Sequence, residues 1–84
     1  MSYQVTVGKK AMKELEKIHG SDYRVIKETI YSLADNPRPH GCKKLQGRPA
    51  YRIRKGNYRI IYEVFDHDSS VEIVTLGHRK DVYH

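Results

Sequence analysis

The sequence offers a single cysteine, Cys42. No internal disulfide can form, so the fold does not depend on an oxidising compartment. Placed in a loop, Cys42 reads as an inert thiol. No stretch approaches the roughly 20 apolar residues of a membrane-spanning helix. The start, Met1-Ser2-Tyr3-Gln4-Val5-Thr6-Val7, alternates polar and apolar residues and lacks the apolar run of a secretory signal. A soluble, cytoplasmic protein with no membrane association is expected. Apolar residues are also scarce, at 38% of the chain, and small domains bury a smaller share of their surface than large ones. Stability should therefore be thin, and a permanent partner would raise it. Internal repeats, low-complexity tracts and linkers are absent, and 84 residues make one domain, residues 1–84.

Negative charge is missing from one long window. Between Asn36 and Tyr62 there is no acidic residue, while Arg38, Lys43, Lys44, Arg48, Arg52, Arg54, Lys55 and Arg59 all fall there. These eight positive charges exceed the net +6 of the whole chain, so the remainder is slightly acidic. A local basic excess fits nucleic acid, acidic proteins or anionic membranes. The histidines, His19, His40, His67, His78 and His84, show no spacing resembling a zinc site. No metal or cofactor is expected.

The apolar pattern supplies the elements. Tyr3, Val5 and Val7 alternate as a short strand that Gly8 breaks. From Lys9 to Ile18, Ala11, Met12, Leu15 and Ile18 recur at helical spacing. His19-Gly20 ends that helix with a left-handed glycine, and Ser21 is the expected N-cap of a second. Ile26, Thr29, Ile30 and Leu33 form the second helix's buried stripe, and Asn36-Pro37 stops it. After a loop over 37–41, Tyr51-Arg52-Ile53-Arg54 alternates, Lys55-Gly56-Asn57 turns, and Tyr58 to Phe65 reads as a long strand. A polar turn then leads to a third such strand, Val71 to Leu76, ended by Gly77. The order β-α-α-β-β-β predicts an α+β fold, a small antiparallel sheet including the N-terminal strand, with both helices on one face.

A hairpin turning at Gly56-Asn57 sets Arg54 opposite Arg59 and Arg52 opposite Ile61. Alternation then puts Arg52, Arg54 and Arg59 on one face and Tyr51, Ile53, Ile60 and Tyr62 on the other, against the helices. Like charges placed opposite one another destabilise a bare sheet, so something outside the fold should offset that cost. Three guanidiniums within reach of each other suit phosphate, because each is a planar fork of donors that stays charged. A solvated basic strand face is the bland alternative.

Asn36-Pro37 closing a helix, followed by Lys44-Leu45-Gln46-Gly47, resembles the middle of a toxin of the RelE/ParE superfamily. The run from Tyr51 to Tyr62, YRIRKGNYRIIY, is similar to that superfamily's central hairpin, and Gly77-His78-Arg79-Lys80-Asp81-Val82-Tyr83 to its C-terminal signature. The resemblance covers essentially the whole chain. It implies a RelE-like fold and one of two activities: RelE-like members cleave messenger RNA in the ribosomal A site, whereas ParE-like members poison DNA gyrase. The nuclease branch uses basic hairpin residues, an arginine in the Gly-x-Arg segment and a tyrosine near the C-terminus. These fall on Arg52, Arg54, Arg59, Arg79 and Tyr83, which favours the endoribonuclease, although a shared fold does not by itself fix function.

Metal-free RNA cleavage turns the 2′-hydroxyl onto the adjacent phosphorus. It needs a base, charge stabilisation on the phosphorane and a proton for the leaving 5′-oxygen. Arg52, Arg54, Arg59 and Arg79 can supply the second. Tyr83 can stack on a base or share in proton transfer. Some relatives carry hairpin lysines that can lose a proton, but the corresponding positions here are arginine, which does not. His78 is the one residue of the motif that titrates near neutrality and is the candidate base or acid, with a structural histidine as the alternative. Ribosomal RNA can also assist. Lys43, Lys44, Arg48 and Lys55 are expected to bind RNA. The resemblance further implies an acidic antitoxin laid over the arginines. A gyrase poison and a non-toxic, degenerate binding module remain the competing readings.

Overall fold

The computed structural model describes residues 2–78. Strand β1 (Gln4–Val7) leads through Gly8 into helix α1 (Lys9–Glu16) and then α2 (Gly20–Ser32). Four strands follow: β2 (Lys43–Lys44), β3 (Ala50–Lys55), β4 (Tyr58–Phe65) and β5 (Ser70–His78), with a 3-10 turn over Asp66–Asp68. They make a five-stranded sheet in the order β1-β5-β4-β3-β2. The expected α+β architecture is present, with two departures. The sheet is mixed, because β1 runs parallel to β5, as two intervening helices allow and a tight turn would not. A two-residue strand, β2, adds to the far edge against β3.

Both helices cover one sheet face. Ala11, Leu15 and Ile18 from the first segment and Ile26, Thr29, Ile30 and Leu33 from the second are buried. They pack on Ile60, Tyr62, Val64, Val71, Ile73 and Leu76. Met12, expected in the first stripe, is 43% exposed. Gly20 has the left-handed backbone expected of it, φ +65°. However, α2 already begins there, with His19 rather than Ser21 at the N-cap and no side-chain cap bond. The helix also stops earlier than Asn36-Pro37. The amides of Leu33, Ala34 and Asp35 donate to carbonyls three residues back, so the last turn tightens before proline is reached.

The hairpin turn at Gly56-Asn57 has positive φ at glycine alone (+59°), the signature of a II′ turn. Strand β5 runs further than expected, through Gly77 to His78. Its pairing with β4 contains a β-bulge: Tyr62 faces Ile73 but Ile61 faces Thr75, leaving Val74 as the extra residue.

Candidate nucleic-acid interface

The predicted register holds. Arg54 pairs with Arg59 and Arg52 with Ile61, and Lys43 lies across from Arg52. Parity therefore gathers Lys43, Arg52, Arg54 and Arg59 on the sheet face away from the helices. Their environments differ. Lys43 and Arg54 are exposed, Arg52 is partly buried, and Arg59 is only 4% exposed. Neither Arg52 nor Arg59 is without a partner. Arg59 lies across from Gly77 on its other side, where no side chain competes with it for space.

Other candidates lie elsewhere. Lys44 pairs with Tyr51, on the helix side, and its ammonium donates to the Arg48 carbonyl at 3.1 Å. That makes it a brace for the turn before β3. Arg48 is exposed within that turn. Lys55 lines a recess with Glu28 and Thr29 of α2, again on the helix side. His78 pairs with Tyr58, meets its ring edge-on at 5.9 Å, and lines a cavity of roughly 270 Å³ with Glu14, Lys17 and Ile18. The bulge is the reason: it shifts the parity of β5, so His78 faces α1 and Gly77 faces the arginines. Arg79 and Tyr83 lie outside the described residues.

Two features escape a reading by charge. Parity puts Glu63 on the arginine face, across from Ala50 and diagonal to Arg52. It sits one residue beyond the acid-free window, so a count of that window misses it. Arg38, counted with the basic window, is not part of the interface. Its guanidinium grips Asp66 through two bonds of 3.2 and 2.7 Å, donates from Nε to the Tyr51 hydroxyl at 2.9 Å, and lies over the Tyr51 ring. Tyr3 donates to the same carboxylate at 2.7 Å. The Arg38 guanidinium, then the Tyr3 hydroxyl, hold the Asp66 carboxyl below its ordinary range. The same carboxylate pushes the Tyr3 phenol up. This cluster pins the loop after α2 to the sheet. Beneath it, the buried Tyr62 hydroxyl donates to the Pro37 carbonyl at 2.7 Å.

The exposed part of the arginine face can bind phosphates by bidentate hydrogen bonds and stabilise charge on a pentacoordinate phosphorus. Comparison with known proteins narrows the setting. A family model described as the ParE toxin of the type II toxin–antitoxin system parDE matches residues 5–83. A toxin candidate, RelE1, of Methanocaldococcus jannaschii is 31% identical over 99% of this chain and 97% of its own length. The mRNA interferase toxin RelE of Escherichia coli is 29% identical over 95% of this chain and 86% of its own. The archaeal RelE–RelB complex from Pyrococcus horikoshii contains a chain of the same fold, with TM-score 0.81 and 30% identity over 96% of this chain and 99% of that one. Structural homologues are thus crystallised with RelB antitoxins. The chain belongs to the RelE/ParE family of toxins from type II toxin–antitoxin systems.

Proposed function

We propose that this toxin is an endoribonuclease that cuts messenger RNA in the ribosomal A site and so stops translation. The observation that carries the reading is the in-register set of Lys43, Arg52, Arg54 and Arg59 on the sheet face left free by the helices. A relative named as an mRNA interferase toxin adds support. Arg54 and Lys43 are exposed enough to hold phosphates. Arg52 and Arg59, more buried, add fixed positive charge where the phosphorane develops. RNA carries its own nucleophile, so the chemistry requires no metal. For the proton acceptor, His78 is disfavoured by its position on the helix side, whereas Glu63 shares the arginine face. Arg79 and Tyr83 keep the roles that the C-terminal motif suggests.

In the resting cell, an acidic antitoxin of the RelB kind covers the arginine face and holds the toxin silent. Gyrase poisoning is the second reading, favoured by the description of the matching family model. The deciding experiment is brief induction of the free chain in cells, with message ends mapped by primer extension. Cuts within translated codons that disappear with Arg54→Ala, Arg79→Ala or Tyr83→Phe support the nuclease. Growth arrest with intact messages and DNA damage moves the target to gyrase. Growth without arrest leaves a binding module.

A further inference from the structure

Strand β1 ends at Val7, opposite Ile73. The Gly8 amide makes one more bond, to the Ile73 carbonyl at 2.9 Å, and the chain then turns into α1. Among the described residues, no strand lies beside the outer backbone edge of β5 from Val74 onward. The bulge lies at the same place. A bulge changes the count of residues along a strand, and a slip of one residue moves every later side chain to the opposite face.

Glu14 of α1 occupies this gap. Its Oε1 accepts the Leu76 amide at 3.0 Å and the Thr75 hydroxyl at 2.7 Å. One carboxylate oxygen thus ties to α1 the two residues that follow the bulge, Leu76 through its backbone and Thr75 through its side chain. The alternative register shows what is at stake. Without the bulge, Leu76 rather than Gly77 would lie across from Arg59, and Gly77 rather than His78 would lie across from Tyr58. A leucine would enter the arginine face, and the core would lose the Leu76 side chain, which is fully buried.

We infer that Glu14 is a positioning residue for RNA cleavage: by holding Thr75 and Leu76 it fixes the bulged register that sets Gly77 beside Arg59 on the arginine face. This rests on the nuclease reading above. Glu14 acts through β5 and touches no RNA, being on the helix side. What matters is the acceptor oxygen rather than the charge, because both donors are neutral and a glutamine carbonyl can take both bonds.

The test uses the full 84-residue chain as wild type, Glu14→Ala and Glu14→Gln, with two readouts. The first is cleavage of a defined message on programmed ribosomes, with kcat and KM separated. Glu14→Ala is expected to lose on the order of 10- to 100-fold in kcat, the scale of a displacement of about 1 Å at a catalytic group, with KM changed much less. Glu14→Gln is expected to stay within about threefold of wild type. The second is the cross-strand nuclear Overhauser effect between Arg59 and Gly77, present in wild type and Glu14→Gln and lost in Glu14→Ala. Thr75→Val, which keeps the shape and removes one donor, should show a smaller fall in kcat and serves if Glu14→Ala does not fold. Wild-type kcat and an unchanged Arg59–Gly77 contact in Glu14→Ala, or in Thr75→Val where that is the variant measured, overturn the inference. So does a Glu14→Gln protein as impaired as Glu14→Ala. Should the wild type cut no message, the nuclease reading fails, while the Overhauser measurement still decides whether Glu14 sets the register.

Discussion

Tyr62→Phe separates the stability of this toxin from its chemistry. Tyr62 is fully buried, its ring stacks on Tyr51 at 5.9 Å, and its hydroxyl donates to the Pro37 carbonyl at 2.7 Å. Burial, with the Cys42 thiol beside it, pushes the phenol above its ordinary range, so it remains a donor at any working pH. Phenylalanine keeps the ring and its packing and removes only the hydroxyl. A typical intramolecular hydrogen bond contributes about 1 kcal/mol net, and a buried carbonyl left without a donor costs about 1–3 kcal/mol. Pro37 is itself buried, so water reaches that oxygen poorly and the expected loss is about 2 kcal/mol. For a domain of this size, that corresponds to a fall in Tm of roughly 8–16 °C. Urea and thermal unfolding followed by far-ultraviolet circular dichroism measure it. Tyr51→Phe is the control: it loses a solvent-exposed bond from Arg38 and should cost well under about 1 kcal/mol. Because Tyr62 faces the helices, the folded Tyr62→Phe protein should cleave at the wild-type rate. A destabilisation below about 0.5 kcal/mol, or one equal to that of Tyr51→Phe, would refute the reasoning, since the bond would then be no better shielded than a surface one.

Arg54→Ala should lower cleavage on the order of 100-fold with little change in Tm, as Arg54 is exposed; a parallel collapse of Tm would mean it holds the fold instead. His78→Ala should leave the pH profile of cleavage unchanged, because its ring lies against Tyr58; loss of a limb near neutrality would restore it as base or acid. Asp66 has a depressed folded pKa, so its stabilisation is present above the ordinary aspartate range and is lost as pH falls through the folded value. The gap in urea midpoint between wild type and Asp66→Asn should therefore be open at pH 7 and closed near pH 2; a gap constant with pH would exclude the carboxylate charge as its cause.

Pattern alone determined much of this protein. The period of the apolar residues defined two helices and four of the five strands in order. Two-residue alternation around Gly56-Asn57 fixed the pairing of Arg54 with Arg59 and the sorting of arginines from core residues, because a hairpin's register follows from its turn. The motif residues then pointed to the family that the comparisons confirm. The tertiary structure decided what depends on distant neighbours. The parallel pairing of β1 with β5 joins segments more than 60 residues apart, and no local period encodes it. Arg38 became a clamp rather than part of the basic patch because Asp66, 28 residues later, meets it. The bulge at Val74 adds one residue to a strand that otherwise looks regular, and so His78 turned to the helices and Gly77 to the arginines. Side-chain periodicity carries the face of each residue only while the backbone keeps count, and a carboxylate on a helix, Glu14, holds the place where the count changes.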